Sequence, residues 1–219
     1  MTSNAPQQGL VLSGLSIALD GEPLFNPLTL RIEPGAIHSL MGASGAGKST
    51  LLAAIAGTLD PVFGLSGEIL LDGESLRGTP AHRRGVGLLF QEDLLFPHMT
   101  VAENLTFALP RGLTREEKNR RVGQALEQME MRHLGERKPY AISGGQRLRA
   151  ALMRTFLSEP RALLLDEPFS KLDAGLRRRI RNWVYAHIRK RGVPALMVSH
   201  DLEDAQAADG NRICYLQDD

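Results

Sequence analysis

The chain lacks the cysteines for an internal disulfide and lacks any apolar segment long enough to cross a bilayer. Its single cysteine among 219 residues is Cys214, which suits a reducing compartment. A membrane-spanning helix needs roughly 18–20 apolar residues, and the longest apolar segments here are interrupted by Gly, Pro or Asp, as in 55–63. Residues 1–9 are polar and hold no apolar run of signal-peptide length. We therefore predict a cytoplasmic protein that reaches a membrane only through partners.

The sequence also lacks an excess of charge of either sign. Its 26 basic and 25 acidic side chains give a formal net charge of +1, so no global field favours DNA or an anionic bilayer. The dense basic run Arg177–Arg181 recurs on helical spacing with Trp183, and we interpret it as a solvated helix face. Nucleic-acid binding is the minor alternative for this run, and no nucleic-acid partner is predicted.

Strand-like and helix-like segments alternate at both ends of the chain, whereas its middle is helical. Short apolar runs bounded by turn residues predict strands at 28–32, 36–41, 67–73, 86–90, 162–165 and 195–198. Apolar spacing predicts helices at 49–56, at 173–190 and through most of 101–158, where Thr114 and Glu117 have capping-box spacing before an amphipathic run to about Met131. This order predicts an α/β fold with a mainly parallel sheet and an inserted helical lobe.

The segment Gly42–Ser49 matches the phosphate-binding P-loop pattern in full. Its glycines allow backbone N–H groups to point at phosphates, and the following helix directs its positive end at them. Lys48 supplies a charge for the β- and γ-phosphates, and the Ser49 hydroxyl is placed to ligate Mg²⁺. A flexible Gly/Ser linker is the alternative, but this segment follows a strand and precedes a helix. The candidate phosphate-binding residues are Gly42, Ala43, Ser44, Gly45, Ala46, Gly47, Lys48, Ser49 and Thr50.

A buried apolar strand, 162–165, ends in the two carboxylates Asp166 and Glu167. Such an ending can set Asp166 near Mg²⁺ and leave Glu167 facing the attacking water as the general base. In isolation it would be interpreted as a solvated turn. Its position downstream of the P-loop, beyond a helical insertion, favours the catalytic interpretation.

The segment Ile142–Arg147, Ile-Ser-Gly-Gly-Gln-Arg, opens an amphipathic helix that runs to about Ser158. Alone it would be a plain helix cap. Together with the P-loop and the Asp–Glu strand end, it resembles the LSGGQ signature of ABC (ATP-binding cassette) ATPases. In that family this helix end binds the γ-phosphate held by the other subunit's P-loop. The resemblance therefore adds four nucleotide contacts, Ser143, Gly144, Gly145 and Gln146.

Three further segments resemble ABC motifs, so the resemblance covers nearly the whole chain. It implies that Gln91 of the Q-loop reaches Mg²⁺ and the water, and that His200 of the H-loop contacts the γ-phosphate and orients the catalytic carboxylate. The segment 170–173 resembles the D-loop, although Lys171 departs from the usual alanine. Two arginines after the signature are interpreted as lobe-packing charges, Arg149 and Arg154.

The resemblance also implies the domain organisation and the cofactors. We expect a single ABC ATPase domain with a P-loop NTPase (RecA-like) core, a mainly parallel sheet, an N-terminal antiparallel β-subdomain and an inserted α-helical subdomain. The core with its β-subdomain would comprise 1–95 and 160–219, and the helical subdomain carrying the signature would comprise 96–159. ATP and Mg²⁺ are the expected ligands, with a homodimer in the ATP-bound state.

One position does not match the family. ABC ATPases commonly stack adenine on an aromatic residue in an early strand, and the alignment places Leu19 there. Phe25 lies nearby, in the following turn, and is the alternative contact. We therefore expect modest discrimination between ATP and GTP.

The segment 96–109 resembles the region of binding-protein-dependent importers that receives a coupling helix of the permease. Phe96, Met99, Val101 and Phe107 would supply exposed apolar surface there, with lobe core as the alternative for each. The resemblance implies permease partners, an indirect substrate-binding protein and a peripheral position on the inner face of the cell membrane. Because little sequence follows 213–216, we expect no C-terminal regulatory domain. There are two alternatives to an importer. One is another membrane ABC complex, of the lipoprotein-release or septation type, and the other is a soluble ABC ATPase.

Overall fold

The computed structural model describes residues 8–92, 94–210 and 212–216, so most of the polar segment 1–9 lies outside it. The strands are β1 (Leu10–Leu19), β2 (Glu22–Pro23), β3 (Leu28–Ile32), β4 (Ile37–Met41), β5 (Phe63–Leu71), β6 (Glu74–Ser75), β7 (Val86–Leu89), β8 (Ala162–Asp166), β9 (Ala195–Val198) and β10 (Ile213–Tyr215). The α-helices are α1 (Lys48–Ala56), α2 (Val101–Ala108), α3 (Arg115–Gln128), α4 (Gly144–Leu157), α5 (Ala174–Arg191) and α6 (Leu202–Asp209). Short 3-10 helices cover Ala81–Arg83, Arg132–Leu134 and Pro139–Ala141.

The strands form two sheets. The core sheet is parallel, with the order β10-β4-β9-β8-β7. The other sheet is antiparallel and is built around β1, which pairs with β2, β3 and β5, and β5 also pairs with β6. Helices α2 to α4 lie in sequence between β7 and β8, which are neighbours in the core sheet. The predicted α/β fold, with a parallel core, an antiparallel β-subdomain and an inserted helical part, is confirmed.

Successive side chains of a strand point to opposite faces of the sheet. The core strands are apolar on both faces because both faces are covered. Leu163 and Leu165 of β8 belong to the apolar cluster that contains buried residues of α4 and α5. Leu164, between them, belongs to the cluster that contains buried residues of α1 and β1. This double coverage holds the parallel strands in register. Their carboxyl ends therefore meet at one edge, where the segments after β4, β7, β8 and β9 come together.

The basic run of α5 is only partly a solvated face, so that interpretation was wrong for two of its arginines. Arg181 is 6% exposed, and its Nη1 donates to the Asp204 carboxylate at 3.0 Å. Arg177 donates to the same carboxylate from Nε at 3.1 Å. Arg178 and Arg179 are exposed as expected. Helix α6 covers one side of α5, a tertiary contact that local charge spacing does not reveal.

None of the helices in the described part of the chain is both long enough and apolar enough to span a bilayer.

Candidate active site

A cavity of about 630 Å³ lies at the carboxyl edge of the core sheet. Its walls come from segments that are far apart in sequence: the end of β1, the loop after β4, the start of α1, and the segments after β7, β8 and β9. The lining residues are Leu19, Leu24, Gly42, Ser44, Gly45, Gly47, Lys48, Ser49, Thr50, Phe63, Gln91, Asp166, Glu167, Val198 and His200. Most of the residues predicted from the P-loop thus face one space, together with Gln91, His200 and the two carboxylates at the end of β8.

The loop before α1 owes its shape to glycine. Gly47 precedes the first turn of α1 with φ +81°, in the left-handed region, and a Cβ there would lie 3.1 Å from a ring carbon of Phe25. The first N–H groups of α1 have no partners within the helix, so this end of α1 suits a bound anion. The Lys48 ammonium donates to the backbone carbonyls of Gly42, at 2.9 Å, and Ala43. The positive charge of Lys48 is therefore held beside the loop backbone, where phosphates would bind.

Asp166 and Ser49 form the part of the cavity suited to a divalent cation. Both residues line the cavity, and the Ser49 hydroxyl interacts with the Asp166 carboxylate. Burial raises the pKa of Asp166 above its usual 3.8, and the neighbouring Glu167 charge acts in the same direction, while the Ser49 hydroxyl and Lys48 oppose them. Hydroxyl, carboxylate and the Gln91 amide are oxygen ligands, the kind that Mg²⁺ prefers. These residues therefore fit Mg²⁺, which commonly uses one or two carboxylates and completes its shell with water and phosphate oxygens.

Glu167 is held between two polar side chains across the cavity from the glycine loop. Its Oε1 lies 3.2 Å from Nδ1 of His200, and its Oε2 accepts a hydrogen bond from Nε2 of Gln91 at 3.2 Å. Its backbone is in the left-handed region, with φ +47°, which costs a non-glycine residue about 1–3 kcal/mol. The Glu167 N–H donates to the Val198 carbonyl at 3.0 Å. The strained residue thus aims a carboxylate, positioned from both sides, into the cavity.

The signature residues are not part of this cavity's lining. Ser143 caps α4: its hydroxyl accepts from the Gln146 N–H at 3.3 Å, and the Gln146 side chain accepts from the Ser143 N–H at 2.8 Å. Gly144 and Gly145 form the first turn of α4 beside this capping box. The four residues present a separate helix N-terminus. Two of the predicted P-loop residues are also outside the lining. The Ala43 carbonyl accepts from Lys48, and the Ala46 side chain is buried.

The apolar end of the cavity contains two residues that the sequence analysis missed. Leu24 and Phe63 line it together with Leu19, which is 36% exposed. Phe25 is 2% exposed and packs behind Gly47, outside the lining set. Phe63 was missed because it approaches Leu19 through the pairing of β1 with β5, which neither segment reveals alone. The alternation of Phe63 and Leu65 with small or polar residues, typical of a strand, was the one local indication.

A second cavity, of about 510 Å³, lies between the edge strand β7, α2 and the end of α4. Phe107 is 64% exposed at this cavity and meets Phe96 edge to face at 4.9 Å. Arg154 lies over the Phe96 ring at 5.5 Å and donates to the Leu94 carbonyl at 2.9 Å. Val101 is fully buried, so the prediction of exposed surface was wrong for this residue. It is the first residue of α2, and its side chain packs into the helical core.

Comparisons with known proteins agree on one family. The model of the ABC transporter family matches residues 25–170. The chain is 39% identical over 198 residues to the uncharacterized ABC transporter ATP-binding protein YnjD of Escherichia coli, covering 90% of this chain and 91% of that protein. It is 41% identical over 202 residues to the putrescine transport ATP-binding protein PotG of Escherichia coli, covering 92% of this chain and 53% of PotG.

Two further comparisons extend this result. The spermidine/putrescine import ATP-binding protein PotA of Salmonella typhimurium is 41% identical over 199 residues, covering 90% of this chain and 51% of PotA. The chain thus spans nearly all of YnjD but about half the length of PotG and PotA. A dimeric structure of a post-hydrolysis state of the ATP-binding cassette MJ0796, bound to ADP and Pi, matches with a TM-score of 0.81 and 27% identity, covering 95% of this chain and 94% of that one.

Proposed function

The chain belongs to the ABC transporter family, and on this premise we propose that it is the ATP-binding subunit of an importer, hydrolysing ATP to ADP and phosphate to drive solute uptake. One observation carries the proposal. The Glu167 carboxylate, positioned by Gln91 and His200, faces the same cavity as the glycine loop and Lys48. A base and a phosphate-binding loop in one cavity support phosphoryl transfer to water.

We propose the following roles for the residues around the phosphates. The N–H groups of residues 42–50 bind the triphosphate, and Lys48 exchanges its carbonyl partners for phosphate oxygens. Ser49, Asp166 and Gln91 would hold Mg²⁺, which neutralises the charge that develops on the transferred phosphoryl group. Glu167 accepts the proton of the attacking water. His200 positions the Glu167 carboxylate and contacts the γ-phosphate.

We also propose that the ATP-bound state is a homodimer. The N-terminus of α4, with Ser143 to Gln146, offers N–H groups to an anion but stands apart from the chain's own cavity lining. In a two-fold dimer this end of each α4 would close on the γ-phosphate bound by the other subunit. The match to MJ0796, a dimer bound to ADP and Pi, supports a dimeric state.

The second cavity is proposed as the contact with the permease. Its surface is largely apolar, exposed and formed by three separate elements, β7, α2 and the end of α4, which suits the insertion of a short amphipathic helix. The names of PotG and PotA, a transport and an import protein, support an importer. The complex would comprise two copies of this chain, two permease subunits and an external substrate-binding protein, with this chain on the inner face of the membrane.

The test measures ATP binding, hydrolysis and dimerisation of the purified chain with Mg²⁺. Lys48→Ala should abolish nucleotide binding, since the loop loses its mobile charge. Glu167→Gln should bind ATP without turnover and elute as a dimer in gel filtration. Ser143→Arg should bind ATP yet remain monomeric, because it places a bulky cation where α4 meets the other subunit's phosphate.

Lys190→Ala serves as the control, because Lys190 is an exposed lysine on α5 that does not line the cavity. It should match wild type in all three measurements. Normal turnover by Glu167→Gln would assign the base to another residue. ATP-dependent dimerisation of Ser143→Arg would reduce residues 143–146 to a helix cap.

A further inference from the structure

We propose that the ring of Phe63, on β5, is the stacking platform for the nucleobase, in place of the aromatic residue that the family commonly carries at the position of Leu19 on β1. The inference rests on the proposed ATP binding and adds a base-binding residue to it. Its basis is the position of Phe63 at the apolar end of the phosphate-binding cavity.

The pairing of β1 with β5 brings this ring to the position that Leu19 leaves without one. Leu19 and Phe63 are directly opposed in the antiparallel register. Opposed side chains project from the same face of a sheet with Cβ atoms about 4.5–5.5 Å apart, so a ring on either strand reaches the same space. Both residues line the cavity, with Leu24 beside them. The aromatic function is therefore displaced by one strand and stays within the same site.

The local backbone sets the position of Phe63. Its N–H donates to the Asp60 carbonyl at 3.0 Å, and the Val62 N–H donates to the Asp60 carboxylate at 3.0 Å. This turn leads directly into β5, which begins at Phe63. The Phe63 side chain is half-buried and packs against the core cluster, whereas that of Val62 is 56% exposed. The Phe63 side chain therefore both packs against the core and lines the cavity.

The other aromatic side chains near the loop are committed elsewhere. Phe25 is buried behind Gly47, where its ring supports the loop from outside the cavity. The His200 imidazole is held at Glu167, at the phosphate end. Among the described residues that line the cavity, Phe63 is the one with a phenyl, phenol or indole ring. A flat π-face covers a base with little loss of entropy, which a leucine side chain cannot match.

The experiment compares the binding of MgATP with the binding of Mg-tripolyphosphate, which has no base, by calorimetric titration of the full chain. Stacking of one base is worth about fivefold to 150-fold in affinity. Phe63→Leu should therefore weaken ATP binding by about fivefold or more and leave tripolyphosphate binding unchanged. Phe63→Tyr, which keeps the ring, should retain the wild-type affinity for ATP. Val62→Ala, on the adjacent exposed residue, should change neither affinity.

Lys48→Ala separates this inference from the proposed function. It should abolish binding of both ligands, and unchanged affinities there would overturn the phosphate site itself. With Lys48→Ala behaving as expected, wild-type ATP affinity in Phe63→Leu would overturn the stacking role. Equal weakening of ATP and tripolyphosphate in Phe63→Leu would also overturn it, since that pattern shows a structural effect on the loop.

Discussion

At the residue scale, two adjacent carboxylates have different environments because the strand ends between them. Asp166 is the last residue of β8, partly buried and close to the Ser49 hydroxyl. Glu167 has left the strand with a left-handed backbone and lies between Gln91 and His200. Asp166 lies near Ser49, where Mg²⁺ would be held, and Glu167 points its carboxylate toward Gln91 and His200 in the same cavity. Strain in one residue and burial of the other both cost stability and both serve the site.

Removing the charge of Asp166 should stabilise the nucleotide-free protein. Burial raises the Asp166 pKa above its unfolded value, so the ionised form is disfavoured in the folded state; this penalty applies at pH values above the folded pKa and is relieved as pH falls through it. Asp166→Asn should therefore raise the free energy of unfolding at pH 7 by about 1 kcal/mol while reducing Mg²⁺-dependent hydrolysis. Urea denaturation measures the first effect, with the exposed Glu136→Gln as control. A destabilised Asp166→Asn would show that the carboxylate is held for stability.

At the scale of elements, side chains at the helix ends and between helices determine how the helical parts are held. Thr114 caps α3, accepting from the Glu117 N–H at 3.2 Å, but the Glu117 side chain turns to Arg120 and Arg121 and does not complete a capping box. A complete box forms at α4, with Ser143 and Gln146. Between α5 and α6, the Asp204 carboxylate, 2% exposed, receives Arg177 and Arg181. This buried cluster fixes α6 against α5.

Breaking that buried cluster should lower the free energy of unfolding strongly. Asp204→Ala leaves the Arg181 guanidinium buried without its main partner, which costs about 3–5 kcal/mol. Glu203→Ala is the matched control, because the Glu203 side chain is 76% exposed and also pairs with Arg181, at 2.9 Å. An exposed pair contributes about 1 kcal/mol or less. Thermal and urea denaturation should separate the two variants, and equal losses would mean that burial of the cluster does not matter.

At the scale of the whole molecule, α4 connects the two surfaces assigned to partners. Its N-cap is Ser143, which we assign to the nucleotide of the other subunit. Arg154 and Thr155, near its C-terminus, line the second cavity. A helix of 14 residues is about 21 Å long and moves as one body. If the second cavity is the permease contact, as proposed, α4 links it directly to the signature end.

Loss of the exposed ring at the second cavity should release the chain from the membrane. Phe107→Ser should reduce the fraction that sediments with inner membranes of the native host, since the groove loses its largest exposed apolar group, and should leave the ATPase activity of the isolated chain unchanged. Tyr215→Ser is the control: Tyr215 is 59% exposed, against 64% for Phe107, and lies on β10, at the opposite edge of the core sheet from β7. Equal sedimentation of the two variants would place the permease contact elsewhere.

The sequence by itself determined the family and the fold, because the features that define them are local. The glycine loop before a helix, the strand ending in Asp166 and Glu167, and the helix start at Ser143 are each contiguous segments whose geometry follows from backbone freedom, apolar period and capping. Most strands and helices were predicted to within a few residues for the same reason; β9, at 195–198, was predicted without error.

Only the tertiary structure decided which distant side chains share an environment. Leu19 and Phe63 meet because β1 and β5 pair, Arg181 is buried because α6 covers α5, and Val101 turns into the helical core. In each case the deciding contact joins separate elements, and a local pattern of charge or apolarity is the same whether or not another element covers it. The position of the nucleobase platform, unlike that of the phosphate loop, therefore depends on strand pairing.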